Sequence, residues 1–155
     1  MNKYVFFWNG IYSQWYPSIM VIDGLTFTSC EQYMMYMKAI TFNDEEIAEE
    51  ILNNENPSII KKLGRQIKNF DRAIWDSVCL AIVYKGNLAK FSQSEPLKKQ
   101  LLATGNKIIV EASPYDKIWG IGMAEGDVGI DNPTNWKGLN LLGNAIMLVR
   151  NELSN

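Results

Sequence analysis

Residues 28–39, Thr-Ser-Cys-Glu-Gln-Tyr-Met-Met-Tyr-Met-Lys-Ala, decide the fold class of this chain. Thr28 with Glu31, and Ser29 with Gln32, both fit the S/T-x-x-E/Q capping box that opens helices. Neither glycine nor proline interrupts the run that follows, so a helix is expected from about Ser29 to Ala39. Further helices follow downstream. Asn43 or Asp44 can cap one with Ile47, Ile51 and Leu52 as its apolar stripe, and Pro57 can begin another that ends near Gly64. Asp71 can cap a fourth carrying Ile74, Trp75, Val78, Ile82 and Val83 at helical spacing. Ser94–Leu102 and Leu139–Leu153 complete the set. Strand-like runs are few: Tyr4–Trp8 before the Asn9-Gly10 turn, Ile19–Ile22 before Asp23-Gly24, and Lys107–Glu111, with a hairpin or small sheet expected from the first two. No repeat or linker divides the chain. The expected class is α+β, predominantly helical, in one domain over residues 1–155.

Composition narrows the chemistry. The chain has 155 residues, of which 47% are hydrophobic, enough for a core, and 12% aromatic. It has no histidine, which removes Ser/His/Asp and Cys/His nucleophile systems and His-containing zinc sites. Proton transfer would fall to carboxylates, Lys, Tyr, Cys or water. Cys30 and Cys79 are isolated in apolar runs and read as core thiols in a reducing cytosol. Neither a signal peptide nor an apolar run of membrane-spanning length is visible, so a cytoplasmic protein with no membrane association is expected. The formal net charge is -2, with only Arg65, Arg72 and Arg150 as arginines, which argues against phosphate-driven binding of duplex DNA. Lys61, Lys62, Arg65 and Lys68 would share a face if one helix carried them all, with solvation as the default reading.

Candidate chemistry concentrates in loops and helix starts, where backbone N–H groups are free. On a helix Glu31, Met34, Met35 and Lys38 share one side, so Glu31 and Lys38 could bracket a site, although spacing alone favours Glu31 as a cap. The segment from Glu111 to Gly122 puts Asp116, Trp119, Gly120 and Gly122 directly after the best strand. It suits either a ligand site or a turn closed by Asp116. Trp75 sits among apolar neighbours and reads as core, whereas Trp8, Trp15 and Tyr16 lie beside turns and suit stacking on a flat ring. Phosphate-loop, dinucleotide and calcium-loop patterns all fail, and neither a metal nor a cofactor is expected.

Several of these pieces occur together and in order. They are Ser13-Gln14-Trp15-Tyr16-Pro17, Asp23-Gly24, Ser29-Cys30-Glu31-Gln32-Tyr33 with Lys38-Ala39, Leu63-Gly64-Arg65, and Asp71 ahead of Trp75. Lys90-Phe91, Leu101-Leu102-Ala103-Thr104, Val110-Glu111, Asp116-Lys117-Ile118-Trp119-Gly120 and Gly138-Leu139-Asn140-Leu141-Leu142-Gly143 follow. From Phe6 to Arg150 the chain resembles the NADAR family, which includes the riboflavin-biosynthesis intermediate N-glycosidase. Leu141 stands where many relatives carry arginine, and Gln14 where they often show asparagine. The resemblance implies a NADAR-type fold and hydrolysis of the N-glycosidic bond of a phosphorylated ribosylaminopyrimidine, or removal of ADP-ribose from guanine bases in DNA. A non-catalytic module binding ADP-ribose or a nucleotide is the alternative of another class. The resemblance points to Glu31, Trp75, Asp116 and Trp119 with Lys38 and Arg65 as helpers; catalysis is expected of Glu31 and Asp116, and substrate binding of Trp75, Trp119, Lys38, Arg65, Asn140 and the turn-side Trp8. The expected partner is thus a small ribosyl-pyrimidine phosphate, with no obligate protein partner.

Overall fold

A computed structural model describes residues 3–155. It is α+β and mostly helical, with strands β1 Tyr4–Phe7, β2 Met20–Ile22, β3 Leu25–Phe27 and β4 Ile108–Glu111. The helices are α1 Cys30–Thr41, α2 Glu45–Leu52, α3 Pro57–Gly64, α4 Arg72–Ser92, α5 Glu95–Ala103 and α6 Leu141–Leu153. The described residues gather into two compact units: Gln14–Gln93, and the residues up to Ser13 together with Ser94–Asn155.

In the Gln14–Gln93 unit, β2 and β3 form an antiparallel hairpin with Met20 opposite Phe27 and Ile22 opposite Leu25. Asp23 and Gly24 both have positive φ, 51° and 81°. That is the turn whose twist suits a two-residue hairpin, and it explains the Asp-Gly pair. The outer edge of β2 is occupied by a side chain: Gln93 accepts from Val21 N–H (2.9 Å) and donates to Val21 C=O (2.8 Å).

Helix α1 is the hub of this unit and packs against α2, α3 and α4. Two glycines set those approaches. A Cβ on Gly86 would lie 2.9 Å from the Tyr33 ring, and one on Gly64 would run into Met35 Sδ. The start of α1 is closed by Ser29 and Gln32 in a variant of the capping box, with Gln32 reaching the residue before the N-cap. Ser29 Oγ accepts from Gln32 N–H (3.1 Å), and Gln32 Oε1 accepts from Thr28 N–H (2.7 Å). The Gln32 amide also donates to the carbonyls of Ile51 (3.1 Å) and Asn54 (2.8 Å), so one buried side chain caps both the start of α1 and the end of α2.

Asp44 caps α2 as expected. Its buried carboxylate accepts from Ile47 N–H (3.2 Å) and from Lys68 N–H (3.0 Å). The Lys68 amide is the larger of the influences that hold the Asp44 carboxyl below its ordinary value of 3.8, opposed by burial and reinforced by the Ile47 amide. A group with a depressed folded pKa stabilises above its unfolded pKa and loses that contribution as pH falls through the lower folded value. Asp44→Asn should therefore lower the urea midpoint at pH 7 and narrow the gap between the midpoints at pH 7 and pH 3. Equal acid sensitivity in both proteins would contradict this.

In the other unit, β1 pairs in parallel with β4, Tyr4 opposite Ile108 and Phe7 opposite Glu111. This corrects the expectation that the first two strand-like runs would pair. A parallel partner needs a crossover, and the chain leaves this unit after Ser13 and returns at Ser94. Val110, Ala112, Ile121, Met123 and Ile130 form a core cluster covered by Tyr4, Phe6, Ile108 and Trp136. Helix α6 packs on β4 and α5. It does so at Gly143, where a Cβ would collide with the Ile109 carbonyl. Backbone cannot yield as a flexible side chain can, which explains the glycine.

Cys30 and Cys79 are both free and buried, as expected of core thiols. The basic run is broken up: α3 ends at Gly64, so Arg65 is its C-cap and Lys68 lies beyond it. Lys61, Lys62, Arg65 and Lys68 therefore do not share one helical face. No helix among the described residues is long and apolar enough to cross a membrane.

Candidate active site

The candidate residues divide between the two units. In the Gln14–Gln93 unit the centre is Glu31, the second residue of α1, 7% exposed. The two cap readings compatible with the sequence separate here. Gln32 supplies the reciprocal arm of the box, and Glu31 lies in the first turn, where the helix dipole favours its negative charge. Its own N–H donates to the Gln14 carbonyl (3.0 Å), which ties the 13–17 loop to the helix start. The Gln14 side chain accepts from Asn87 Nδ2 (2.9 Å), while its Nε2 is buried with no hydrogen-bond partner among the described residues.

The Glu31 carboxylate acts electrostatically on the Lys38 ammonium. Lys38, two turns along α1, is half-buried and donates to the Gly64 carbonyl at the end of α3 (3.0 Å). Its Nζ sits 4.7 Å from the centre of the Phe70 ring. Burial pushes the Lys38 ammonium below its usual value; Arg72 and Arg65 push the same way, while Glu31 pulls it back up. Glu31, Arg65 and Arg72 all act electrostatically on the Lys38 ammonium. Trp75, four residues into α4, is 5% exposed and belongs to the packed interior of this unit.

Lys90, quoted in the sequence only as part of the Lys90-Phe91 pair, is a buried cation of this unit. It is 1% exposed on α4, with its ammonium 5.5 Å from the Tyr16 ring centre and 5.1 Å from that of Phe91. Burial lowers its pKa. Beside it the Cys30 thiol is pushed up to about 11 by burial, with Lys90 pulling it down and Glu31 pushing it up. The signal was available: Lys90 continues the buried helical positions Trp75, Cys79, Val83 and Gly86, so a lysine stands on an apolar stripe.

In the other unit the segment after β4 is a turn organised by Asp116. Its Oδ1 accepts from Ile118 N–H (2.9 Å) and Trp119 N–H (2.8 Å), and its own N–H donates to Ser113 Oγ (3.2 Å). Asp116 Oδ2 accepts no hydrogen bond from the described residues. Trp119 is half-buried, and the Asp116 turn fixes its backbone. Asn140 is buried in a left-handed conformation (φ 52°), and its amide is committed at both ends, to Glu111 N–H (2.9 Å) and to the Ile109 carbonyl (3.0 Å). It therefore braces β4 and, through its N–H to the Gly120 carbonyl (3.1 Å), the Asp116 turn. Trp8 is 54% exposed with its ring 6.2 Å from that of the exposed Tyr115, a tilted pair outside the core.

Comparison with known proteins gives these residues a family. A family description, NADAR domain, matches residues 6–154 and so spans both units. The chain belongs to the NADAR family. Among NADAR relatives, N-glycosidase R617 of Acanthamoeba polyphaga mimivirus is 44% identical, covering 97% of this chain and 96% of its own. N-glycosidase YbiA of Shigella boydii is 33% identical over 86% of this chain and 74% of its own. A protein named as a riboflavin biosynthesis protein in Vibrio vulnificus is 31% identical over 94% of this chain, which spans 36% of that longer protein. The NMR structure of E. coli YbiA superposes with a TM-score of 0.81 at 30% identity, over 99% of this chain and 87% of that one. NADAR membership places the chain among the enzymes that hydrolyse N-glycosyl bonds.

Proposed function

We propose that this chain hydrolyses the N-glycosidic bond of a phosphorylated ribosylaminopyrimidine, with Glu31 as its principal catalytic carboxylate. The observation that carries this reading is the Glu31 side chain itself: buried, placed at a helix start whose cap is built by Ser29 and Gln32, and acting electrostatically on the half-buried Lys38. Cleaving a C–N glycosidic bond builds positive charge on the ribose as the bond to the base lengthens. A preorganised carboxylate stabilises that charge, and a carboxylate can also orient or deprotonate the attacking water. Glu31 and Asp116 divide these tasks. Asp116 brings one oxygen held by its turn and another that can address water. Trp119 offers flat apolar surface to the base, and Trp75, buried in α4, walls the site from the core side, which excludes water and strengthens every charge interaction with the sugar. Lys38 and Arg65 bind hydroxyl or phosphate oxygens of the ribose portion.

A side-by-side assay tests the substrate. The chain is incubated with ribosylaminopyrimidine phosphates and with an oligonucleotide bearing ADP-ribosylated guanine, and released base is measured. Faster release from the ribosylaminopyrimidine phosphates is the expected result, with Asp116→Asn slowing it at least tenfold. Preferential release of ADP-ribose from DNA would transfer the same chemistry to a nucleic-acid substrate. Binding without product from either would identify a non-catalytic binding module instead.

A further inference from the structure

We propose that Arg72 and Lys38, gathered on the Phe70 ring, form with the neighbouring Arg65 a three-cation site that holds the phosphate monoester of the substrate. This rests on the glycosidase reading and adds to it a residue, Arg72, and a definite group on the substrate. Phe70 is the organising element. Lys38 Nζ lies 4.7 Å and Arg72 Cζ 5.5 Å from the centre of its ring, and Phe42 packs against it at 5.3 Å. The negative faces of an aromatic ring attract cations and can hold two of them in place despite their mutual repulsion. Arg65 follows directly on Gly64, whose carbonyl anchors Lys38.

The positive charge of this cluster is poorly compensated. Among the described residues Lys38 and Arg65 make no ion pair, and Arg72 makes a loose one with Asp76 (3.7 Å) between side chains that are 64% and 59% exposed. Such a pair contributes little. The Lys38 ammonium spends one donor on Gly64 and keeps two, while Arg72 presents a fork suited to phosphate oxygens. Arg72 is also the first residue of α4, a 21-residue helix whose start adds partial positive charge. The chain as a whole is acidic, at a formal -2, so this cluster runs against the average. Two cations held on one ring, with Arg65 beside the carbonyl that anchors one of them, suit a dianion concentrated on one phosphorus better than a diphosphate strung between two sugars.

The test begins with inorganic phosphate and the intact chain, followed by NMR of the lysine and arginine side chains. Phosphate is expected to shift Lys38, Arg65 and Arg72 together. Arg72→Gln should weaken that binding at least tenfold, in keeping with loss of a charge-assisted contact, while the control Lys99→Gln on α5 retains it. Thermal melts establish that both variants fold. In turnover, Arg72→Gln should cut the preference for the phosphorylated over the dephosphorylated ribosylaminopyrimidine about tenfold, measured as the ratio of kcat/KM values. Phosphate binding equal in Arg72→Gln and the parent chain would overturn the proposal. Arg72-dependent phosphate binding in a chain that cleaves no ribosylaminopyrimidine would uphold the anion site and remove the glycosidase reading.

Discussion

Glu31→Gln should leave a folded protein whose turnover is reduced about 10²–10³-fold, the scale on which a preorganised group that stabilises transition-state charge contributes. The substitution keeps the shape of the side chain and removes its charge. Its structural cost includes the favourable placement of an acid in a first helical turn, about 0.3–1 kcal/mol, while the cap itself, built by Ser29 and Gln32, is untouched. A thermal melt close to that of the parent, together with the lost turnover, would separate catalysis from folding. Full turnover in Glu31→Gln would show that the buried carboxylate is there for the fold alone.

The second large effect is on stability. Gln32→Ala should destabilise the chain by about 3 kcal/mol, since each buried polar group stripped of its partner costs about 1–3 kcal/mol. The Thr28 amide would lose the acceptor that it meets at 2.7 Å, and the carbonyls of Ile51 and Asn54 would lose their donor. Those groups belong to the start of α1 and the end of α2, so both helices would fray at a shared point. Gln32→Glu should be comparably damaging, because it turns a carboxylate toward carbonyl oxygens. Chemical denaturation checks both, and midpoints within the error of the parent would contradict them. Reduced activity in these variants should track the loss of folded protein, unlike the loss in Glu31→Gln.

The adjacency of Glu31 and Gln32 also shows what the sequence could and could not reveal. Two overlapping capping boxes were legible, and so was the helix they open, because caps and helical periodicity are local. Which of the two residues served the cap was not. That depended on the end of α2, where the Ile51 and Asn54 carbonyls draw the Gln32 amide away from solvent. The caps at Asp44, Asp71 and Ser94 were equally local and equally legible. Strand pairing was not. Tyr4–Phe7 pairs with Ile108–Glu111, far along the chain, and no local pattern encodes a parallel partner.

The site followed the same division. Spacing left Glu31 as a cap and Trp75 as core, and only family resemblance made them site candidates, whereas the Asp116–Trp119 segment and Trp8 stood out from residue type and position alone. Asn140, read as a substrate contact, has its amide engaged along β4, a commitment that only the tertiary structure discloses. Lys90 and Arg72 were overlooked for opposite reasons. Lys90 carried a readable anomaly, a lysine on a buried stripe, whereas Arg72 gains its meaning from Lys38, distant in sequence and brought to the same Phe70 ring.

The most direct test of the central claim is product release from a ribosylaminopyrimidine phosphate, followed by mass spectrometry with the parent chain and Glu31→Gln in parallel. The parent should yield free aminopyrimidine and ribose phosphate in equal amounts, while folded Glu31→Gln yields almost none. Equal product from the two proteins, or none from the parent with substrate bound, would contradict a glycosidase built around Glu31.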